Sequence, residues 1–270
     1  MPRPSRRRPP VIALLTDFGL SGHFVGAMKG VILQRLPDAH ILDITHDIEP
    51  GRIRHGAFVL WAAAPSMPES TVIAAVIDPG VGTERKILML KTRRHIFVAP
   101  DNGLLDLVRS DEPKAVTYVP DAKAVAKFAL PGTSSTFHGR DIFAPLAATL
   151  AGGVTPAQLG KAHRLPPPVA WRATPGDPSV GASIMSIDRF GNLVTNIPIP
   201  PGSSPRDVIR MVVVGNIMVS HVVQSYADAP DNTPCLIRGS SGLLEIVVRN
   251  GSASTLLRAH DRTPVRVVWA

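Results

Sequence analysis

Short apolar runs alternate with helically spaced apolar positions through the first 160 residues. The runs VIALLT (11–16) and HILDIT (40–45) are rich in β-formers and predict two strands. Between them the apolar residues recur at the three- and four-residue spacing of a helix: Phe24, Met28, Val31, Ile32 and Leu36. Strands that alternate with helices are typical of a layered α/β domain with a largely parallel sheet.

The same alternation of strand and helix patterns continues to residue 160. Strands are expected at 71–77, 86–91 and 95–100, and helices at 53–64, 102–109 and 139–153. Gly152 and Gly153 are a typical helix stop and define the end of the last helix.

The pattern changes after residue 160. The stretch 161–181 is rich in proline and has no periodicity, which is typical of a linker. Short β-rich runs then follow at close spacing, among them ASIMSI, NLVTNI, HVVQSY and LLEIVV, and they predict a small antiparallel barrel or sandwich. We therefore expect a basic arm at 1–10, an α/β domain at 11–160, a linker at 161–181 and an all-β, barrel-like domain at 182–270.

Composition narrows the class of protein. The chain is 44% hydrophobic and 19% charged, as in ordinary globular proteins, and no apolar run is long enough to predict a membrane span. A single cysteine, Cys235, excludes an internal disulfide framework and favours a reducing, cytoplasmic location.

A formal net charge of +8 raises the possibility of a nucleic-acid partner. Four arginines of this excess lie in the arm, and the other basic residues are scattered along the chain. The chain also has two tyrosines and no aromatic-rich RNA-binding signature. We therefore expect no nucleic-acid partner and interpret the arm as a solubilising segment.

Two polar clusters follow predicted strands of the α/β domain. Asp17 ends the first strand, where a carboxylate can accept hydrogen bonds from the vicinal hydroxyls of a ribose or can cap the next turn. Asp78 and Arg85 lie at the two ends of the turn DPGVGTER, and they can face one cleft or form a structural ion pair. This loop is not a phosphate-binding P-loop, because the Gly-Lys-Ser/Thr ending is missing.

Two histidines are further candidates. His138 precedes the helix at 139–153 and can act in acid–base chemistry, orient a water or simply cap and pack. His46 lies between Asp43 and Asp47, a set that can bind a metal or reflect an ordinary strand end and turn.

The β domain carries polar residues at its predicted turns. Asp188, Phe190 and Asn192 lie in one turn, and the segments 239–242 and 250–252 form two others. These are either plain hairpin turns or a source of acceptors for an ammonium group and donors for a carboxylate.

Taken together, these segments resemble the adenosine-forming S-adenosyl-L-methionine (SAM) hydrolases, also called SAM hydroxide adenosyltransferases, which are relatives of the fluorinating and chlorinating enzymes. The resemblance runs from about residue 11 to 267. It rests on eight ordered motifs: LLTDFG, DITHDIEPG, VIDPGVGTERK, FVAPDNGLL, STFHGRDIFAP, IDRFGNLVTNI, SYADAP and SSGLLEIVV.

The resemblance implies a homotrimer with sites between subunits, SAM as substrate and no cofactor. It implies that Asp78, Arg85 and His138 handle the attacking water. It assigns substrate contacts to a further set: Asp17 to the ribose, Asp188 to the methionine ammonium, Ser240 and Ser241 to its carboxylate, Asn192 and the backbone near Asn250 to adenine, and Phe190 and Tyr226 to aromatic contacts. Gly22, Gly239 and Arg249-Asn250 depart from the family pattern, which bears on affinity for the amino-acid part.

A sulfonium is an activated leaving group, so the expected reaction requires positioning of a water behind C5′ of the ribose and an acceptor for its proton. Asp78 is the favoured acceptor, although Arg85 weakens it as a base, and His138 remains the alternative. Three other functions compete with this one: a SAM-dependent halogenase, a non-catalytic SAM or adenosine-binding module, and a metal-dependent phosphoesterase that uses Asp17, Asp43 and His46. A carboxylate at position 78 opposes an anionic halide.

Overall fold

The computed structural model describes residues 9–270, which form two compact units. The first ends at Val169 and the second spans Ala170–Ala270, so the division falls inside the proline-rich stretch 161–181. The arm at 1–10 lies, except for its last two residues, outside the described residues. None of the helices described combines the length and apolar character that crossing a membrane requires.

The first unit alternates strands and helices as expected. Its strands are β1 Val11–Thr16, β2 His40–Thr45, β3 Val72–Val76, β4 Ile87–Lys91, β5 Ile96–Pro100, β6 Val116–Pro120 and β7 Gly160–Ala162. Its α-helices are α1 Phe24–Arg35, α2 Ile53–Ala63, α3 Asp106–Asp111, α4 Ala122–Phe128, α5 Ala144–Ala151 and α6 Pro156–Leu159. A 3-10 turn, Ala64–Ser66, follows α2, and a π-helical turn, Gly139–Phe143, precedes α5.

The strands form one sheet in the order β2-β1-β3-β5-β4-β6-β7. β1 pairs in parallel with β2 and β3, and β3 pairs in parallel with β5. β4 pairs antiparallel with both β5 and β6, so five of the seven strands run the same way. The short turn 92–95 leaves no room for a parallel crossover between β4 and β5. The prediction of a largely parallel α/β sheet is confirmed.

The core of this unit lies between the sheet and the helices α1 and α5. Leu14, Met28, Val98, Phe143 and Leu146 are fully buried there. Almost the whole of α5 is buried, which explains why its sequence is apolar on all sides. The rigid sheet therefore fixes the strand ends from which the candidate residues emerge.

Two predicted helices differ from the observed ones. The helix expected at 139–153 begins as the π-helical turn and becomes α-helical only at Ala144. The helix expected at 102–109 begins four residues later, at Asp106, because the Asn102 side chain accepts a hydrogen bond from Leu104 N and donates one to Ile77 O. Residues 102–105 thus form a turn that contacts the end of β3.

The second unit consists mainly of short strands. They are β8 Ile184–Ile187, β9 Leu193–Pro198, β10 Ile209–Val214, β11 Ile217–Val219, β12 Pro234–Arg238, β13 Leu243–Val248 and β14 Val265–Trp269. One short helix, α7 Ala253–Leu256, and two 3-10 turns, Pro205–Asp207 and Tyr226–Asp228, complete it.

These strands form two antiparallel sheets, β12-β13-β9-β8 and β11-β10-β14. Both sheets contribute to one core that includes Leu193, Val212, Leu236 and Leu244. The prediction of an all-β second domain is confirmed. The prediction of a strand at HVVQSY is wrong. Ser225 N donates to Asp228 Oδ2, and this hydrogen bond stabilises a 3-10 turn at the end of that run.

Candidate active site

The candidate site of the first unit lies where neighbouring parallel strands end. β1 leads into Asp17, and β3 leads through Ile77 into Asp78, so both carboxylates emerge at the same edge of the sheet. A cavity of about 340 Å³ opens there, with Asp17, Asp78 and His138 in its lining. The structure therefore brings together residues that are far apart in the sequence.

Asp78, Arg85 and His138 form one contact network. Arg85 Nε lies 2.9 Å from Oδ1 and 2.9 Å from Oδ2 of Asp78, and Arg85 Nη2 also bonds to Oδ2. The same Nη2 lies 2.9 Å from His138 Nδ1. The side chains of Asp78 and Arg85 are only 5% and 10% exposed, which strengthens the ion pair by excluding water.

The network fixes the tautomer of His138. A guanidinium has donors only, so Nδ1 must accept from Arg85 and the imidazole proton lies on Nε2. Burial and the positive charge of Arg85 lower the pKa of His138, against the opposing effect of Asp78. His138 is therefore neutral at neutral pH, with its proton on Nε2.

A close approach of two loops holds this network. Gly82 has φ +81°, and a Cβ there would lie 2.5 Å from Ser135 O, so only glycine lets the loop after β3 meet the loop before His138. Thr83 Oγ1 donates to Gly80 O at 2.7 Å and tightens the turn. The Arg85 guanidinium lies 5.3 Å from the centre of the Phe143 ring.

A buried carboxylate organises the loop that carries His138. Asp141 is 1% exposed and accepts hydrogen bonds from Ser134 N at 2.8 Å and Arg140 Nε at 2.6 Å. Burial by itself raises the pKa of Asp141, but these hydrogen bonds outweigh it and lower the pKa, so the group stays ionised. The sequence reasoning assigned no role to Asp141 or to Asn102, whose partners are set by the fold.

Asp17 lines the same cavity. Its Oδ2 accepts a hydrogen bond from Gly51 N at 2.8 Å, and Gly51 has the positive φ of +72°. The carboxylate is thus oriented by a backbone amide of the segment after β2. Phe18 and Phe137 supply apolar surface to the same cavity.

Asp43 and His46 have protein partners. Lys29 Nζ lies 2.6 Å from Asp43 Oδ2, and His46 Nδ1 lies 2.8 Å from Thr16 Oγ1. Within residues 9–270 there is no group of three or more histidine, cysteine, aspartate or glutamate residues placed to bind a metal ion. These contacts do not favour the phosphoesterase alternative.

In the second unit, Asp188 shapes its own turn. Oδ1 accepts from Phe190 N at 2.8 Å and from Asn192 N at 2.9 Å, and Oδ2 accepts from Asn192 Nδ2 at 2.8 Å. The Phe190 side chain projects from this turn and is 76% exposed. Asp188 therefore has a structural role whatever else it binds.

Asn192 continues this network through Tyr226 to Glu245. Asn192 Nδ2 lies 3.5 Å from Tyr226 Oη, a weak contact, and Tyr226 Oη donates to Glu245 Oε2 at 3.2 Å. Burial and Glu245 raise the pKa of Tyr226 to about 12, and burial with the charge of Asp188 raises the pKa of Glu245. A Cβ on Gly239 would lie 1.9 Å from Glu245 Oε1, which explains the glycine at that position.

The remaining candidates lie in two turns. Ser240 and Ser241 join β12 to β13, and Ser241 Oγ is buried with no hydrogen-bond partner in the described part of the chain. Asn250 has φ +55°, and its Nδ2 donates to Asp231 Oδ1 at 3.0 Å. The Asn250 side chain is thus engaged within its own unit.

The sequence reasoning assigned no role to Glu245. Its only signal was one charged residue in the apolar run LLEIVV, and its partner Tyr226 is 19 residues away.

A mostly parallel α/β unit with a carboxylate–guanidinium–imidazole network at its strand ends, followed by a unit of antiparallel strands, defines a two-domain class of protein. Residues 12–160 match the SAM hydroxide adenosyltransferase N-terminal domain, and residues 182–266 match the C-terminal domain of that family. The chain therefore belongs to the SAM hydroxide adenosyltransferase family, and the resemblance found in the sequence is confirmed.

Similar proteins agree with this assignment. The chain is 36% identical to an (R)-S-adenosyl-L-methionine hydrolase of Thermus thermophilus, over 95% of this chain and 99% of that protein. It is 28% identical to a fluorinase of Nocardia brasiliensis, over 70% of this chain and 72% of that protein. A crystal structure of a conserved protein from Thermotoga maritima superposes with a TM-score of 0.83 at 35% identity, covering 95% of this chain and 100% of that one.

Proposed function

We propose that the protein hydrolyses S-adenosyl-L-methionine to adenosine and L-methionine. The observation that carries this proposal is the Asp78–Arg85–His138 network beside the cavity at the ends of β1 and β3. The family assignment and the (R)-S-adenosyl-L-methionine hydrolase from Thermus thermophilus support the choice of substrate.

The reaction is an in-line displacement at C5′ of the ribose. The water oxygen forms a bond to C5′ as the bond from C5′ to sulfur breaks, and methionine leaves with that electron pair as a neutral thioether. The sulfonium needs no protonation to leave. The protein therefore contributes mainly the position of the water, which can supply several kcal/mol of the barrier.

Asp78 accepts the proton in this mechanism, and His138 orients the water. Since Nδ1 of His138 accepts from Arg85, its Nε2–H donates to the water oxygen and a lone pair on that oxygen faces C5′. Arg85 bonds to both oxygens of Asp78 and orients the carboxylate, which has about four lone-pair sites and keeps capacity to accept a proton. A strong base is not needed, because the attacking water becomes strongly acidic once its bond to carbon forms.

The substrate contacts follow the same assignment. Asp17 binds the ribose hydroxyls. Asp188 binds the methionine ammonium through the remaining acceptor capacity of its carboxylate, which has about four lone-pair sites. Ser240 and Ser241 bind the carboxylate, and the partnerless Ser241 Oγ supports that role.

Adenine is bound in the second unit. Asn192 and the backbone at Asn250 provide its polar contacts, and Phe190 and Tyr226 provide aromatic surface. The exposure of the Phe190 ring supports this assignment.

The proposal includes an assembly and a location. The chain functions as a homotrimer with its sites between subunits, requires no cofactor and resides in the cytoplasm, where its single buried cysteine is stable as a thiol.

Isotope labelling tests the reaction. In water enriched in oxygen-18, attack at C5′ places the label in the 5′-hydroxyl of adenosine, and mass spectrometry should find it there and not in methionine. Asp78→Asn keeps the shape of the side chain but not its basicity, and we expect a loss of about 10²- to 10⁴-fold in kcat.

Three outcomes would contradict the proposal. Unlabelled adenosine would exclude attack by water at C5′. Formation of 5′-chloro-5′-deoxyadenosine in chloride buffer would indicate a halogenase, and binding of SAM without any turnover would indicate a non-catalytic binding module.

A further inference from the structure

A line of contacts, buried at Thr16 and His46 and exposed at Asp43, joins the ends of β1 and β2 next to Asp17. His46 is 2% exposed, and its Nδ1 lies 2.8 Å from Thr16 Oγ1. Its Nε2 lies 3.1 Å from Asp43 Oδ1. Thr16, at the end of β1, has no exposed surface and is followed directly by Asp17.

The donors and acceptors in this line have a fixed direction. Burial by itself raises the pKa of Asp43, but the contacts with Lys29 and His46 outweigh it and lower the pKa, so Asp43 is ionised. Nε2 of His46 therefore carries the proton and faces Asp43, in a geometry too bent for a good hydrogen bond, so the attraction is mainly electrostatic. Nδ1 then accepts from the Thr16 hydroxyl.

The same two residues also hold the backbone on the far side of Asp17. Thr16 Oγ1 accepts a hydrogen bond from Phe18 N at 3.3 Å. The carbonyl oxygen of His46 accepts one from Gly19 N at 2.8 Å. The backbone on both sides of Asp17 is thus held by three contacts, which join Thr16 to His46, Phe18 to Thr16 and Gly19 to His46. Gly51 N bonds to the Asp17 carboxylate itself.

Packing alone does not require this arrangement. A valine has nearly the shape of threonine and would fill the end of a buried strand without a polar group. A buried hydroxyl bonded on both sides defines the direction of the backbone that follows it, which a valine does not.

We propose that Thr16 and His46 are positioning residues, which hold the Asp17 carboxylate in the orientation that binds the ribose hydroxyls and so set the preference for ribonucleosides over deoxynucleosides. This inference rests on the ribose-binding role of Asp17 in the proposed function. It explains the orientation of Asp17 by contacts at the ends of β1 and β2 rather than by residues that line the cavity.

Binding of adenosine and of 2′-deoxyadenosine tests the inference. Isothermal titration calorimetry gives the ratio of the two Kd values, and a hydrogen bond from a ribose hydroxyl to a carboxylate should make it about 10- to 100-fold in the natural protein. Asp17→Asn should reduce the ratio. Thr16→Val should reduce the ratio of the two Kd values to about 3-fold or less. Thr16→Ser keeps the hydroxyl and should retain the ratio of the natural protein.

Thr149→Val is the matched control, since it removes another threonine hydroxyl, bonded to Pro145 O in α5, away from the cavity. Its ratio should equal that of the natural protein. If Thr16→Val does not fold, the same ratio measured on His46→Phe, which keeps an aromatic ring but removes the acceptor facing Thr16, decides the matter.

The experiment separates failure of the positioning role of Thr16 and His46 from failure of the ribose-binding role of Asp17. If Asp17→Asn lowers the ratio and Thr16→Val leaves it unchanged, the positioning role is overturned and the proposed function stands. If the natural protein does not distinguish the two nucleosides, the role of Asp17 in the proposed function is overturned as well.

Discussion

Arg85 determines the state of both of its polar neighbours. Because every guanidinium nitrogen is a donor, Asp78 must be a carboxylate and His138 must present an unprotonated Nδ1. Replacing Arg85 by lysine would keep one positive charge but could not reproduce the contacts to both partners. One residue thus holds the proposed proton acceptor, Asp78, and the proposed hydrogen-bond donor to the water, His138, in complementary states.

The state of His138 can be measured directly. Since burial and Arg85 lower its pKa, NMR of the imidazole should show titration below the usual 6.5. As the pH falls, the unfolded chain takes up this proton at a higher pH than the folded protein does. The stability contributed by neutral His138 is therefore lost as the pH falls below 6.5 towards the lower pKa of the folded protein. The acid limb of kcat/KM should lie in the same range.

Arg85→Gln provides the comparison for this titration. Removal of the positive charge should move the pKa of His138 upward. A pKa at or above 6.5 in the natural protein would contradict the assignment of a neutral, Nε2-protonated imidazole.

At this scale the sequence predicted the residue types and offered the pairing of Asp78 with Arg85, but it did not predict the contact of Arg85 with His138. The motifs around Asp78 and His138 indicated that each residue was a candidate, but an ion pair closing a turn and a capping histidine fitted the same letters. The contact between Arg85 and His138 spans 53 residues and depends on where β3 and α5 lie, so only the fold reveals it.

At the scale of elements, the site depends on the contact between the loop after β3 and the loop before the π-helical turn. Gly82 is the point of closest approach. Gly82→Ala combines a positive φ with a clash against Ser135 O, and we expect a loss of about 2 kcal/mol or more in the free energy of unfolding. The loops should also separate, which lowers kcat/KM.

Gly132→Ala separates backbone strain from the clash. Gly132 has φ +69° with no atom within 4 Å of a Cβ, so its substitution should cost about 1 kcal/mol and leave kcat/KM unchanged. Chemical denaturation and steady-state kinetics on both variants give the comparison. Equal losses of kcat/KM would show that the contact with Ser135 does not hold the site.

Two strands were predicted to the residue, since the runs at 11–16 and 40–45 coincide with β1 and β2. Burial of continuous apolar residues fixes the limits of β1, whereas β2 is an edge strand with no buried residue and is held by its parallel pairing with β1. The misplaced strand at HVVQSY and the late start of α3 both arise from side chains that bond to nearby backbone, at Asp228 and Asn102. Such local bonds compete with regular structure and leave no periodic signal.

At the scale of the whole molecule, the proposed site residues are divided between the two units. The first carries Asp17 and the Asp78–Arg85–His138 network, and the second carries the Asp188–Asn192–Tyr226 network. The proposed reaction uses both sets, whether they come from one chain or from two. The homotrimer proposed above requires that they come from two.

Mixed assemblies decide between these arrangements. Asp78→Asn damages the first unit and Asp188→Asn damages the second, so each variant alone should be nearly inactive. If sites form between subunits of a trimer, the doubly tagged fraction from co-expression of the two variants with different affinity tags should have about a third of the natural activity, because every mixed trimer keeps about one intact pairing in three. Light scattering should confirm the trimer mass of the doubly tagged fraction. If each site forms within one chain, every chain carries one damaged half, and the mixed assemblies should be as inactive as the separate variants.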